Sequence, residues 1–122
     1  METVLQSLVG LSCLFLAGLG VRTMFAVKSM FAILAVEPQG AAGLSTIRGF
    51  LGGLFIGSSI VLATGLVTDN TTFILAVAMT MSVVVTGRCV GLAMDGFDKK
   101  VVFPLVTEIG MVAVFIIAYM NL

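Results

Sequence analysis

The chain has 122 residues, of which 60% are hydrophobic and 10% charged, and its formal net charge is zero. Soluble domains carry about 25% charged residues, so this composition excludes an ordinary soluble domain. With a mean hydropathy of +1.25, it indicates an integral membrane protein. At about 20 residues per membrane helix, the length allows roughly four spans with short loops. We expect a single all-α domain over residues 1–122, with no nucleic acid partner because the chain has no basic excess.

The residue types that usually carry catalysis or metal binding are scarce. The chain has no histidine, which is the commonest metal ligand and neutral-pH proton shuttle. Its two cysteines, Cys13 and Cys89, are too few for a structural zinc site. Their predicted depths in the membrane differ by roughly 10 Å, which is beyond the reach of a disulfide. We therefore expect two unpaired thiols, no metal, no cofactor and no catalytic residue.

The first apolar run, Val4 to Val21, predicts a transmembrane helix that ends at Arg22. No basic residue precedes this run, so it does not have the pattern of a signal peptide. The next segment, Thr23 to Val36, is apolar but too short to cross a membrane. It predicts a bent, interfacial or re-entrant helix, and Glu37-Pro38 ends it because a residue before proline is disfavoured in α-helix.

Three further spans follow, at Leu44–Val67, Phe73–Met94 and Val101–Met120. Short polar segments, Thr68–Thr72 and Asp95–Lys100, separate them and predict tight connections. We therefore expect a bundle of four transmembrane helices, with the short extra helix after the first span.

The lysine and arginine distribution predicts the orientation of the bundle. Four basic residues lie in the connections after the first and third spans: Arg22, Lys28, Lys99 and Lys100. The N-terminal residues, the connection after the second span and the C-terminal residues contain none. Because basic loops stay in the cytoplasm, we expect a multi-pass membrane protein with both termini on the outer side of the membrane.

Four ionisable residues are predicted to lie within the spans near the cytoplasmic side: Arg48, Arg88, Asp95 and Glu108. Charges in hydrocarbon are costly unless they are paired, and the predicted pairs are Arg48 with Glu108 and Arg88 with Asp95. One interpretation is purely structural, with the pairs orienting the helices. A second is a pocket in which the two arginines bind an anionic or amphipathic ligand, and a third is a proton or ion relay.

Glycines recur every fourth residue on the second span, at Gly49, Gly53 and Gly57, and Gly87 and Gly91 repeat this spacing on the third. Small residues at this spacing allow another helix to approach closely in lipid. We expect these faces to pack helices, either within the chain or between chains.

Several segments together resemble a known family. They are IRGFLGGLFIG (residues 47–57), GRCVGLAMDG (residues 87–96) and the last span with its early glutamate, Glu108. The chain resembles an uncharacterised family of small four-helix bacterial inner-membrane proteins, known only as a domain of unknown function. It is also broadly similar to DoxX-type membrane proteins, some of which are linked to sulfur or quinone redox chemistry. The resemblance implies a fold but no established activity.

The leading functional hypothesis is a non-enzymatic accessory or assembly subunit. Its partners would be the lipid bilayer and other membrane-protein subunits or further copies of itself. The alternative is a binding or redox-associated module for a hydrophobic or anionic ligand, such as a quinone or lipid, at the charged residues. A transporter comes third, because four spans without an evident repeat need oligomerisation to form a pathway.

Overall fold

A computed structural model describes residues 2–122, which form α-helices without any strand. Four of the helices are long and apolar enough to cross a membrane, which confirms the predicted all-α membrane bundle. In chain order the helices are α1 (Glu2–Phe25), α2 (Phe31–Leu34), α3 (Gly40–Val67), α4 (Thr72–Asp95) and α5 (Lys99–Asn121).

The predicted short helix after the first span consists of two tight turns. Ala26 leaves the helical conformation (φ −125°, ψ 52°), and a 3₁₀ turn, Val27–Met30, leads into the single turn of α2. Ala35 ends α2 in the left-handed region with φ 55°. Val27 and Met30 are buried, so this segment is anchored to the bundle by its apolar side chains. The residues around Pro38 are not helical, as expected beside a proline.

Helix α3 is the longest and contains a π-helical segment, Ile47–Gly52. Its 28 residues extend over about 42 Å at 1.5 Å per residue, whereas the hydrocarbon core is about 30 Å thick. If the C-terminal end of α3 lies at one boundary of the hydrocarbon core, its first turns therefore extend past the other boundary into the headgroup region. The π segment lies close to the boundary between headgroups and hydrocarbon.

The four long helices form an up-and-down ring. Helix α1 packs mainly on α3, α4 packs mainly on α5, and contacts of α1 with α5 and of α3 with α4 close the ring. Glu2, Asp69 and Leu122 line one small hollow, so both termini and the α3–α4 connection lie at the same end, which we call the terminal end. The opposite end holds the connections of residues 26–39 and 96–98 and is called the charged end.

The shared core of all four helices lies in the terminal half of the bundle. Phe115 and Leu62 are completely buried there, and α1 and α4 contribute Val9 and Ile74. The full core cluster is Val9, Leu16, Leu62, Ile74, Val77, Ala78, Met111, Phe115 and Ala118. By contrast, no residue from Met79 through Gly110 is buried. The helices are thus joined in one core at the terminal end only.

Helix α1 contacts α3 from the terminal end as far as the π segment, and two glycines let the helices cross closely. A Cβ on Gly20 would lie 2.9 Å from the backbone nitrogen of Ile56, and a Cβ on Gly52 would lie 3.3 Å from that of Met24. A second link joins Cys13 and Ser59: the serine hydroxyl donates to the Cys13 carbonyl oxygen at 3.0 Å. Close backbone approach and polar interhelical bonds are the usual means of helix association in lipid.

Candidate functional site

Arg48 lies in the π segment of α3 and closes the end of α1. Its side chain is partly buried, and Nη1 donates a hydrogen bond to the carbonyl oxygen of Met24. The last carbonyl groups of a helix have no intrahelical partner, and a cation there also interacts favourably with the helix dipole. Arg48 therefore acts as a C-terminal cap for α1, supplied by a different helix.

Arg88 and Glu108 form an ion pair between α4 and α5. The Arg88 Nε donates to Glu108 Oε1, and the two side chains are 37% and 13% exposed. Both residues lie roughly two turns into their helices from the charged end. The pair joins α4 and α5 in the half of the bundle where these helices bury no residue.

The predicted pairs are therefore wrong, although the residues lie at the predicted end of the bundle. Arg48 bonds to a backbone carbonyl oxygen rather than to Glu108, because the π segment packs against α1 and not against α5. Arg88 bonds to Glu108 rather than to Asp95, because residues seven apart on one helix are separated by about 10 Å along its axis. Asp95 is exposed at the last residue of α4, and the Arg88–Glu108 bridge is the one salt bridge found within residues 2–122.

In the charged half, the side chains of α4 and α5 are less buried than in the terminal half. Arg88 lies on the same helical stripe as the core residue Ile74, and its neighbours on that stripe, Val85 and Leu92, are only partly buried. On the facing helix pair, α1 with α3, Gly20 of α1 is buried against α3, where its nearest neighbours are Ile56 and Gly52. The residues around the ion pair are thus only partly buried, in contrast to the core of the terminal half.

A shallow groove lies on the outer side of the α1–α3 pair at the charged end. Its volume is about 530 Å³, and it is open to the surroundings along one side. Its lining is apolar except for the Arg48 guanidinium and the Ser45 hydroxyl; the lining residues are Met24, Ala41, Leu44, Ser45, Arg48 and Gly49.

The predicted glycine faces do not pack against another helix of the same chain. A Cβ added at Gly49, Gly53 or Gly57 would meet nothing within 4 Å, and the same holds for Gly87 and Gly91. The structure therefore shows no close helix approach at these positions within the chain, and packing between chains stays a prediction.

Sequence reasoning missed the two glycines that pack between α1 and α3, Gly20 and Gly52. Neither glycine belongs to a four-residue repeat. The sequence signal for packing at these positions was only that each glycine lies within an apolar helix, where glycine is unfavourable. The Cys13–Ser59 contact also had no sequence signal. Both cysteines are free, with Cys13 partly buried and Cys89 exposed, as expected for unpaired thiols.

Comparison with known proteins gives a family without an assigned activity. Neither the curated proteins nor the solved structures contain a match to this chain. The likeness to DoxX-type proteins stays a prediction. A family match extends over residues 4–119, nearly the whole chain. The protein belongs to the family described as a domain of unknown function, DUF4345.

Proposed function

We propose that this protein is a non-enzymatic accessory or assembly subunit that binds other membrane helices through its outward glycine face. The observation that carries the proposal is the open space beside Gly49, Gly53 and Gly57. In lipid, helix association depends on close backbone approach rather than on the hydrophobic effect. A face of this kind that no helix of the same chain covers is suited to a helix of another chain, either a second copy or a different subunit.

The location that fits this role is the inner membrane of a bacterium, with the charged end in the cytoplasm and both termini in the periplasm. The basic residues Arg22, Lys28, Lys99 and Lys100 lie toward the charged end, and none lies at the terminal end. The lysine and arginine bias supports this orientation.

The assembly role is tested by enlarging one glycine of the face. Gly53→Leu adds a side chain where the monomer has open space, so the monomer should unfold at the same temperature as wild type or higher. Association, measured by co-purification of two differently tagged copies and by native mass spectrometry in mild detergent, should be lost. Gly18→Leu is the matched control, because Gly18 of α1 also has no neighbour within 4 Å. Unchanged association of Gly53→Leu would overturn the role of this face.

A second candidate function is a binding module for a hydrophobic ligand, such as a quinone or lipid, between the helix pairs. It is favoured by Arg88, whose side chain is 37% exposed although it lies within a span. We infer that this exposure is toward a gap between the two helix pairs. An arginine has five N–H donors, and one of them is used by Glu108. The remaining donors are suited to a carbonyl oxygen of a ligand whose apolar part fills the gap.

Leu92→Trp tests this candidate by filling the gap beside Arg88. Extracts of the purified variant should contain less co-purified quinone or lipid than wild type, measured by chromatography with mass spectrometry. Val90→Trp is the control, because Val90 is 49% exposed on the opposite side of α4. Equal ligand content in Leu92→Trp and wild type argues against a site in the gap.

A further inference from the structure

Arg48 is a membrane-embedded cation without a carboxylate partner in residues 2–122. It lies eight positions after Gly40, the first residue of α3, or about 12 Å along the helix. This places the guanidinium near the boundary between headgroups and hydrocarbon. An unpaired charge at this depth is stabilised by water, by headgroups or by a bound anion.

The protein uses only part of the hydrogen-bonding capacity of Arg48. One N–H, on Nη1, donates to the Met24 carbonyl oxygen, whereas a guanidinium has five donors arranged in a planar fork. The hydroxyl of Ser45 makes no hydrogen bond to the described part of the chain and lines the same groove. Two polar groups with free donors therefore face one open volume.

The rest of the groove is apolar, and this decides the class of ligand. A free phosphate or another small anion would contact the guanidinium but would gain nothing from Met24, Leu44 and Ala41. An anionic phospholipid can use both parts of the surface. Its phosphate oxygens match the arginine fork, and the upper part of an acyl chain can lie against the apolar side chains.

We propose that the groove beside Arg48 binds an anionic phospholipid of the leaflet at the charged end. The phosphate accepts hydrogen bonds from the Arg48 guanidinium and the Ser45 hydroxyl, and the Arg48–Met24 bond holds the guanidinium in place. The site is separate from the Arg88–Glu108 pair, and it requires neither assembly through the glycine face nor a ligand between the helix pairs.

The test uses the whole protein in nanodiscs that contain phosphatidylcholine and phosphatidylglycerol in equal amounts. Native mass spectrometry then measures the ratio of the two lipids that stay bound after release. One arginine near an anionic surface changes lipid affinity roughly fivefold, so wild type should retain about fivefold more phosphatidylglycerol than phosphatidylcholine. Arg48→Gln, which keeps an N–H donor for Met24, should retain the two lipids about equally.

Lys28→Gln is the matched control, because it removes the same charge from the charged end at an exposed position outside the groove. It should keep the wild-type ratio. Ala41→Trp fills the groove and leaves Arg48 unchanged, so this variant should lose the enrichment of phosphatidylglycerol over phosphatidylcholine. If Arg48→Gln does not fold, Ala41→Trp provides the test of the lipid site. Enrichment retained in a folded Arg48→Gln or in Ala41→Trp overturns the proposal.

A final arm separates a lipid from a free anion. Inorganic phosphate at millimolar concentration is added to wild type in detergent without lipid, and thermal unfolding is recorded. Phosphatidylglycerol should raise the unfolding temperature of wild type but not of Arg48→Gln, and inorganic phosphate should not. Equal stabilisation by inorganic phosphate would show that the groove binds a free anion, and the lipid proposal would be wrong.

Discussion

Two arginines within the spans have different partners, and the difference follows from the helices that carry them. Arg48 lies in the π segment of α3, which packs on α1, and it donates a hydrogen bond to the backbone carbonyl oxygen of Met24. Arg88 lies on the inner stripe of α4, opposite Glu108 of α5. A cation at a helix C-terminus is partly stabilised by the helix dipole, whereas removal of one member of an ion pair leaves the other charge without a partner.

The ion pair predicts that substitutions of Arg88 and Glu108 have coupled effects on stability. Arg88→Gln and Glu108→Gln should each lower the stability of the detergent-solubilised protein, and the double mutant should recover part of the loss. We expect a coupling energy on the order of 0.5–3 kcal/mol, the range for contacting residues. Its value should lie in the lower part of this range because the Arg88 side chain is 37% exposed. Thermal or denaturant unfolding of the four proteins measures it.

The same cycle on Arg48 and Glu108 is the control. These residues do not contact each other, so their effects on unfolding should add to within about 0.5 kcal/mol. A large coupling energy for Arg48 with Glu108, together with none for Arg88 with Glu108, would contradict the arrangement of charges described above.

At the scale of helices, the contact between α1 and α3 depends on where small residues lie rather than on how many there are. Gly20 and Gly52 let the two backbones approach, whereas a Cβ at Gly49, Gly53 or Gly57 of α3 would have no neighbour within 4 Å. Helix rotation alone decides which glycines are covered. A substitution at Gly20 or Gly52 should therefore affect folding. A substitution at Gly49, Gly53 or Gly57 should affect assembly.

Gly20→Ala should destabilise the bundle. The added Cβ would lie 2.9 Å from the Ile56 nitrogen and 3.0 Å from the Gly52 carbonyl oxygen, so the helices must separate. Overpacking of this kind typically costs about 1–3 kcal/mol, and thermal unfolding in detergent should show a lower midpoint. Gly18→Ala has no neighbour within 4 Å and should unfold at the wild-type temperature or above, since alanine favours helix. Equal midpoints for the two variants would exclude a close crossing at Gly20.

Much of the element order could be predicted from the sequence because the membrane fixes the length of its helices. Runs of about 20 apolar residues, interrupted by Pro38 and by short polar segments, are sufficient to place four spans. The partners of Arg48 and Arg88 could not be predicted in this way, because depth in the membrane is readable from the sequence but helix rotation is not. The sequence did contain one indication of the face on which Arg88 lies. Arg88 follows Ile74 and Met81 at seven-residue intervals, which places it on the core-facing stripe of α4.

On the scale of the whole molecule, the bundle is held together unequally at its two ends. The core around Phe115 joins all four long helices in the terminal half. In the charged half, one helix pair is joined by the glycine crossing and the other by an ion pair. Local stability should therefore be greatest near the termini, and movements of the helix pairs relative to each other should start at the charged end.

Phe115→Ala tests the importance of the terminal core. Phe115 is completely buried, and its truncation removes core contacts and leaves a cavity, a change that typically costs about 3–5 kcal/mol. Phe103→Ala, at a side chain 77% exposed, should change stability by less than about 0.5 kcal/mol. Unfolding midpoints of both variants in the same detergent provide the comparison, and similar losses would show that the core is elsewhere.

Orientation in the membrane is tested at the same scale. A reporter enzyme that is active only in the periplasm should be active when it is fused after Leu122 and inactive when it is inserted at Lys99. Because both termini lie at one end of the bundle, the opposite result would reverse the whole orientation and place the groove of Arg48 in the outer leaflet.

The π segment also has a consequence for insertions and deletions in this family. A π turn holds one more residue than an α turn, so removing a single residue between Ile47 and Gly52 lets the segment close as ordinary α-helix. The outward position of Phe50, whose side chain is 70% exposed, makes it the residue whose loss disturbs packing least. The residues before and after the segment then keep their faces, and the flanking halves of α3 need not rotate. A relative that is one residue shorter should therefore align with its gap at the π segment. Elsewhere in a packed helix, the loss of one residue would rotate every following side chain by about 100° about the helix axis.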